Sequence, residues 1–113
     1  FGLAGHSHEL AERSGVRVLL DAAGLPALDG ALAAARAGVS TAGTRANREF
    51  APLEVGDVPA EVVELAYDPQ TAGGLLVSLP ADHAPALQAE FARAGRFLAR
   101  VGSVEAGAGV SLR

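Results

Sequence analysis

The sequence predicts an α+β fold in which helices pack in a layer on a mixed or antiparallel sheet. Three observations predict it: apolar residues recur with helical spacing in several segments, short β-branched runs lie between these segments, and glycine or proline separates them. A chain of 113 residues with 50% apolar residues is long enough for one compact domain with its own core. The predicted order is α-β-α-loop-β-α-β-β, and a layered arrangement buries the apolar faces of such elements most simply.

The first three elements have clear local signals. Residues 3–14 carry a helical stripe, and Gly15 suits the position just after a helix. Val16–Leu20 is short, β-branched and mostly apolar, which predicts a strand that ends in a small-residue turn. In residues 28–35 apolar side chains recur at helical spacing within an alanine-rich run, so a second helix is predicted there, ended by Gly38.

The middle of the chain, residues 39–59, has no sustained period and is predicted to be mostly irregular, with one helical turn at residues 45–50. A loop of this length in a compact domain is uncommon unless it binds or covers something. Asp57 is predicted to cap a short helix that has Pro59 in its first turn, and a strand is the alternative there.

The last third is predicted to hold three strands and a helix. Residues 75–79 are apolar, of strand length and followed by proline. A helix is predicted from residue 84 to residue 94, with Asp82 as its N-cap. Residues 97–101 and 110–112, separated by a glycine-rich segment, are predicted to be two closing strands, antiparallel to each other.

Composition excludes several kinds of site. The chain has no cysteine, which excludes a disulfide, a thiolate zinc site and a cysteine nucleophile among these residues. Its formal net charge is −4 and its nine basic residues are scattered arginines, so nucleic-acid binding is not expected. No apolar run reaches the roughly 18 residues of a membrane-spanning helix, and the start has no basic and apolar leader. We therefore expect a cytoplasmic protein with no membrane contact.

The segment at residues 68–76, Asp-Pro-Gln-Thr-Ala-Gly-Gly-Leu-Leu, is the strongest candidate for a site. Pro69 fixes its own φ angle, while Gly73 and Gly74 permit a positive φ or the close approach of a ligand or another backbone. A tight turn that leads into a core strand would explain the same residues, and physical reasoning alone weighs the two interpretations about equally.

If the segment is a site, its groups suit a phosphate. The backbone N–H groups of the two glycines can form an anion-binding nest, and Gln70 and Thr71 can add amide and hydroxyl hydrogen bonds to a phosphate or to an attacking water. Asp68 can accept a hydrogen bond from the loop itself, or help to position magnesium.

Residues 1–6, residues 43–50 and residues 68–76 together resemble the C-terminal domain of the selenophosphate synthetase (selenide, water dikinase) family, within the aminoimidazole ribonucleotide synthetase-like superfamily. Residues 1–6, Phe-Gly-Leu-Ala-Gly-His, are similar to the end of the family motif Asp-x-Thr-Gly-Phe-Gly-Leu-x-Gly-His. Residues 43–47, followed by Phe50, are similar to Gly-Gly-Thr-x-x-Asn, with Ala42 in place of the first glycine. Residues 68–76 are similar to Asp-Pro-Gln-Thr-Ser-Gly-Gly-Leu-Leu, with Ala72 in place of serine.

The resemblance implies an enzyme that makes selenophosphate from selenide and ATP, with release of AMP and phosphate, for selenocysteine and selenouridine synthesis. It implies Mg²⁺ on the triphosphate, an N-terminal ATP-binding domain as partner, and a homodimer. The family's nucleophile, catalytic lysine and most magnesium-binding aspartates lie in that other domain. We therefore expect residues 1–113 to be a single domain, the C-terminal fragment of a two-domain enzyme, with no catalytic residue, no metal ligand and no activity of its own.

The resemblance also supplies a set of residues that line the ATP and substrate cleft. They are Gly2, Gly5, His6, Gly43, Thr44, Asn47, Asp68, Gln70, Thr71, Gly73 and Gly74. Structural roles compete for some of them: Thr44 suits the N-cap of the following turn, His6 a structural hydrogen bond, and Gly2 and Gly5 close helix packing. The alternative functions are a structural or dimerisation module, and a domain of another superfamily member such as thiamine-monophosphate kinase or aminoimidazole ribonucleotide synthetase.

Overall fold

The computed structural model describes residues 1–70 and 72–113, so Thr71, a predicted site residue, lies outside the described residues. Five α-helices and four β-strands are present in the described part, with a 3₁₀ turn at Ala22–Gly24. In chain order they are α1 (Gly2–Ser14), β1 (Val16–Leu20), α2 (Ala31–Arg36), α3 (Ala42–Phe50), β2 (Glu54–Val55), α4 (Ala60–Tyr67), α5 (Ala84–Arg93), β3 (Gly102–Ala106) and β4 (Gly109–Leu112). Within these ranges no helix has both the length and the apolar character needed to cross a membrane.

The four strands form one mixed sheet in the order β2-β4-β1-β3. Strand β1 pairs parallel with β4 on one side and antiparallel with β3 on the other, and β2 pairs parallel with β4. Val18, at the centre of β1, lies opposite Val104 and Val110. The predicted α+β class with a mixed sheet is therefore confirmed.

The core lies between the sheet and a helical layer. Helix α1 packs on β1 and β4 and also contacts α3 and α4, while α2 packs on α4. The Nε atom of Arg36 donates to the Glu61 carboxylate at 3.0 Å across that last contact, and this hydrogen bond lowers the pKa of the Glu61 carboxyl. The buried apolar residues of the core are Ala4, Ala11, Val18, Leu20, Val63, Ala66, Tyr67, Val110 and Leu112.

Elements with strong local signals are confirmed. In α1 the buried residues Ala4, Ser7 and Ala11 follow helical spacing, and Gly15 ends the helix with φ 62° and an N–H donated to the Ala11 carbonyl. Strand β1 has the predicted bounds. Helix α2 begins at Ala31, later than predicted, because the preceding glycine has a positive φ of 82° that a helix does not continue through.

The middle segment is more regular than predicted: the helical turn predicted at residues 45–50 is part of the longer helix α3, and β2 was not predicted. Thr41 is the N-cap of α3, since its hydroxyl accepts the N–H of Thr44 at 3.2 Å. Thr44 is therefore not a cap; it lies buried inside the helix together with Asn47. Apolar periodicity does not reveal the burial of these two polar side chains, which explains why the predicted helical turn was shorter than α3.

Two predicted caps are also wrong. Helix α4 is present as predicted, so the alternative strand is wrong, but its N-cap is Pro59, and no side chain, Asp57 included, makes a capping bond. Helix α5 forms as predicted, yet its N-cap is His83 in place of Asp82, again with no side-chain cap. Proline near the start of each helix fixes φ at a helical value, which favours helix initiation without a capping side chain.

The predicted strands at residues 75–79 and 97–101 are absent, and β3 forms at Gly102–Ala106 instead. Residues 72–79 donate or accept no backbone hydrogen bond with any other described residue, and Leu75 is 94% exposed. An apolar run becomes a strand only when a neighbouring strand pairs with it. The two closing strands, β3 and β4, run antiparallel to each other as predicted, since β3 is antiparallel and β4 parallel to β1, but they lie on opposite sides of β1.

Candidate functional site

The three motif segments lie far apart in the sequence and meet at one place in the fold. The N-terminus of α1 lies against the backbone that follows α4. A Cβ atom at Gly2 would lie 2.7 Å from the Asp68 carbonyl oxygen and 3.1 Å from the Ala66 carbonyl oxygen. Gly2 also has φ 66°. Glycine is therefore required here for both space and backbone conformation.

The second motif meets the third through Gly43 and Pro69. A Cβ at Gly43 would lie 2.7 Å from Pro69 Cγ, so the first turn of α3 lies directly on the proline ring. Pro69 is half-buried and Asp68 is half-buried beside it. The turn after α4 is thus held between α1 and α3, and the short turn itself is closed by the Gln70 N–H, which donates to the Asp68 carbonyl at 2.9 Å.

Asn47 ties α3 to the end of α4. Its side chain is buried, and its Nδ2 donates to the Tyr67 carbonyl oxygen at 2.9 Å. That carbonyl belongs to the last residue of α4, where no intrahelical N–H is available to it. The Asn47 amide therefore satisfies a buried helix-end carbonyl one residue before Asp68.

Thr44 also has an internal role. Its hydroxyl lies 3.1 Å from that of Thr41, and its side chain is buried. Because its described hydroxyl contact is with the capping residue of its own helix, Thr44 stabilises the start of α3. The three predicted residues of the second motif therefore make contacts within the chain: Gly43 with Pro69, Thr44 with Thr41, and Asn47 with Tyr67.

Tyr67 supports the turn from inside the core. Its hydroxyl accepts the Leu53 N–H at 3.2 Å, and the guanidinium of Arg48 lies 4.5 Å above its ring. Arg48 also pairs with Glu64 at 2.7 Å. Burial raises the pKa of the Tyr67 hydroxyl, against the smaller opposing effects of the Leu53 N–H and the Arg48 charge. Sequence reasoning missed Tyr67, although a lone tyrosine in helical register with buried Val63 was a usable signal.

The exposed part of the site carries the groups that can reach a ligand. The Gln70 side chain is exposed and makes no hydrogen bond with another described residue, and the Asp68 carboxylate is in no ion pair with one. Gly73 and Gly74 are exposed, and their N–H groups donate to no other described residue. Neither glycine has a positive φ, so the anion-binding nest expected here is not formed in this conformation.

Gly5 and His6 lie on α1 beside this turn. A Cβ at Gly5 would lie 2.5 Å from the Phe1 Cβ, so Gly5 permits Phe1 to fold back over the first turn. His6 is exposed; its Nδ1 lies 3.9 Å from the Glu9 carboxylate and its ring meets Phe1 edge to face. These are the side-chain contacts recorded for His6, and neither is with the turn at Asp68.

The site as described holds one carboxylate, one free amide and a set of backbone N–H donors. The amide and the N–H groups can donate hydrogen bonds to an anion, whereas the ionised carboxylate can only accept them. Over residues 1–70 and 72–113 no three His, Asp or Glu side chains converge as a metal site would require. Asp68 alone would give magnesium one of the six oxygen ligands it prefers, so the described residues do not fit a complete magnesium site.

Removing the Asn47 amide is expected to weaken the link between α3 and α4. Asn47→Ala leaves the buried Tyr67 carbonyl without its partner, which is expected to cost about 1–3 kcal/mol of unfolding free energy. Glu49→Ala, on the exposed side of the same helix, is the control and is expected to change stability by less than about 0.5 kcal/mol. Urea unfolding measures both variants, and equal losses would contradict the assigned role of Asn47.

The sequence matches a known family and several known proteins. Residues 1–113 match the family described as AIR synthase related protein, C-terminal domain. The chain is 36% identical over 103 residues to selenide, water dikinase 2 of Peptoclostridium acidaminophilum, covering 89% of this chain and 30% of that protein. It is 38% identical over 107 residues to selenide, water dikinase of Nitratidesulfovibrio vulgaris, covering 92% of this chain and 31% of that protein.

A third relative gives the same picture. The chain is 37% identical over 100 residues to selenide, water dikinase of Treponema denticola, covering 83% of this chain and 27% of that protein. The chain thus spans about 30% of the length of the curated relatives that it matches.

Proposed function

Because this chain belongs to the family of AIR synthase related proteins, C-terminal domain, we propose that it forms the C-terminal part of a selenide, water dikinase. In this proposal an ATP-binding domain precedes Phe1, and the complete enzyme makes selenophosphate from selenide and ATP, releasing AMP and phosphate. The relatives carry the name of that activity, and most of their length lies outside the region matched here.

One observation carries the proposal: the three motif segments form a single structure around the turn at residues 68–70. Gly2 approaches the Asp68 carbonyl, Gly43 lies on Pro69, and Asn47 holds the carbonyl before Asp68. The convergence of residues this distant in the sequence on one turn supports a fold that holds the turn in a fixed position. The presented groups, chiefly the Gln70 amide and the free backbone N–H donors, suit a phosphate.

The role of this chain in the reaction is binding and orientation. In this proposal Gln70 hydrogen-bonds a phosphate oxygen or an attacking water, and the exposed N–H groups of residues 73 and 74 donate to an anion singly, since they form no nest here. Magnesium, when bound, would neutralise charge on the triphosphate, and Asp68 could supply one of its ligands. The nucleophile and the other magnesium ligands are assigned to the preceding domain, so the 113-residue chain alone is expected to consume no ATP. The complete enzyme is proposed to be a cytoplasmic homodimer that binds no nucleic acid.

A structural role is the second candidate, and a specific observation favours it. Gly2, Gly43, Thr44 and Asn47 all make contacts within this chain, as expected if the motifs mainly stabilise the fold. The two candidates differ at Gln70, whose side chain supports no described contact and would therefore be dispensable in a purely structural module.

Gln70→Ala in the full-length enzyme separates them. If Gln70 orients a reacting group, selenophosphate formation is expected to fall by about tenfold or more, which corresponds to about 1.4 kcal/mol of lost transition-state stabilisation. The melting temperature is expected to stay unchanged, because the side chain is exposed. Gln88→Ala, at an exposed position on α5, is the matched control. Full turnover in Gln70→Ala would favour the structural role.

The product identifies the superfamily member. The proposal expects ATP and selenide to yield AMP and selenophosphate, measured by nucleotide chromatography and phosphorus resonance. ADP as the final nucleotide product, or turnover of another phosphoryl acceptor with none of selenide, would assign the chain to a different branch of the superfamily.

A further inference from the structure

Four rings, three exposed and that of His8 half-buried, form an aromatic patch beside the candidate site. Phe1 and Phe50 lie with ring centroids 5.3 Å apart; His6 meets Phe1 edge to face at 6.2 Å, and His8 meets Phe50 edge to face at 5.5 Å. The patch, defined as these four residues, joins the start of α1 to the end of α3. Phe1 is 61% exposed and Phe50 is 44% exposed.

Two phenylalanines in contact at the surface, with their rings tilted by 45°, are costly to leave in water. Each aromatic side chain contributes a large apolar area when it is covered, and clustered exposed apolar groups mark interaction surfaces more often than scattered ones do. The two histidines frame the phenylalanines with polar ring nitrogens, which matches the usual anatomy of an apolar centre with a polar rim.

We propose that this patch is the surface on which the preceding domain of the same polypeptide packs. The inference rests on the proposed function, in which an ATP-binding domain precedes Phe1. The matched family is a C-terminal domain and the chain spans about 30% of its relatives' length, so the rest of those relatives lies mostly before the matched region. A polypeptide that continues backwards from Phe1 has to leave through the patch itself, because Phe1 is one of its four members.

The position of the patch gives the contact a consequence for the site. Phe1 is joined directly to Gly2, which lies against the Asp68 carbonyl. Phe50 ends α3, the helix whose first turn lies on Pro69. A domain seated on the patch therefore rests on α1 and α3, the two helices that contact the turn. Packing at the patch would set the distance between the groups of this chain and those of the ATP-binding domain.

Oxidative footprinting of the full-length protein tests the contact. Hydroxyl radicals modify exposed phenylalanines, and Phe97, which is 76% exposed and outside the patch, is the internal reference. If the preceding domain covers the patch, Phe1 and Phe50 are expected to react several-fold more slowly than Phe97, with or without ATP and at every protein concentration.

Three results would overturn the proposal. If Phe1 and Phe50 react as fast as their exposed fractions predict, the patch is uncovered in the full-length protein. Protection that appears only on addition of ATP would make the nucleotide the occupant, and protection that is lost on dilution would make a second copy the occupant. These alternatives differ in how the protection depends on ATP and on protein concentration, so the same experiment separates them.

A substitution adds an independent readout. Phe50→Asp in the full-length protein places a charge in the contact and is expected to raise protease cleavage just before Phe1 several-fold, while Leu28→Asp, at a position 86% exposed, is expected not to. Phe50→Ala serves if the aspartate variant fails to fold. Unchanged cleavage would overturn the proposal. Protection of Phe50 in a protein that makes no selenophosphate would leave the contact standing and reject only the proposed activity.

Discussion

Gly2→Ala is expected to destabilise the protein by about 3 kcal/mol or more, the largest effect of any alanine substitution proposed for the site. Two causes add. The new Cβ would lie 2.7 Å from the Asp68 carbonyl oxygen, a backbone atom that cannot rotate away. The φ of 66° at Gly2 is also unfavourable for alanine by about 1–2 kcal/mol. The clash can be relieved only if α1 moves away from the turn, so the substitution is expected to change the geometry of the site as well as the stability.

Gly15→Ala separates the two causes. Gly15 ends the same helix with φ 62°, and a Cβ there would meet nothing within 4 Å. The free energy of unfolding of this variant is therefore expected to fall by only about 1–2 kcal/mol, the cost of the backbone conformation alone. The difference between the two variants, measured by urea unfolding of the 113-residue chain, reports the contact between α1 and the turn. Equal losses would show that the close approach at Gly2 is absent in solution.

Alkaline unfolding is expected to depend on a single side chain, Tyr67. The chain has one tyrosine and no cysteine, and its nine basic side chains are all arginine. Tyr67 is thus the only side chain that titrates between about pH 9 and pH 11. Burial raises its pKa above the ordinary value of 10.0, so the unfolded state releases the proton first as pH rises. The stability is fully present below pH 10.0 and is lost as pH rises through the folded-state pKa, with a limiting slope of about 1.4 kcal/mol per pH unit for one proton.

Tyr67→Phe is the matched variant. It leaves the Leu53 N–H without its acceptor, so at neutral pH it is expected to be about 1–2 kcal/mol less stable than the parent. Its stability is expected to stay flat in alkali, and the two curves should converge as pH rises. Urea unfolding across this range, with tyrosinate absorbance followed in the parent, measures the effect. A parallel alkaline decline in both proteins would mean that Tyr67 does not control it.

Local signals predicted part of the fold and tertiary contacts decided the rest. Helix α1 and strand β1 were predictable because their signals, apolar periodicity and Gly15 between them, depend only on residues close together in the sequence. Only the last part of helix α3 was predicted, because its buried face is polar and Asn47 on that face bonds to a carbonyl 20 positions away in the sequence. The run at residues 75–79 has strand composition, but composition does not supply a neighbouring strand, and none of the described strands pairs with it.

The site was predictable as a set of segments and not as a set of roles. The resemblance identified the segments that meet at residues 68–70, but it predicted the same role, lining the cleft, for all their candidate residues. The structure separates Asn47 and Gly43, which hold the turn, from Gln70, which the turn presents. Tyr67 supports the turn through its ring and its hydroxyl, and no motif contains it. The prediction that Thr71 takes part stays a prediction.

The position of β1 between β3 and β4 affects when this domain can fold during synthesis. Both strands that pair with β1 come from residues 102–112, while β1 itself ends at Leu20. A ribosome therefore completes some eighty further residues with β1 unpaired on both edges, since such long-range pairing must wait for its partner. During that interval the apolar run of β1 is open to pairing with other nascent chains, so premature termination before residue 102 should give aggregation-prone products.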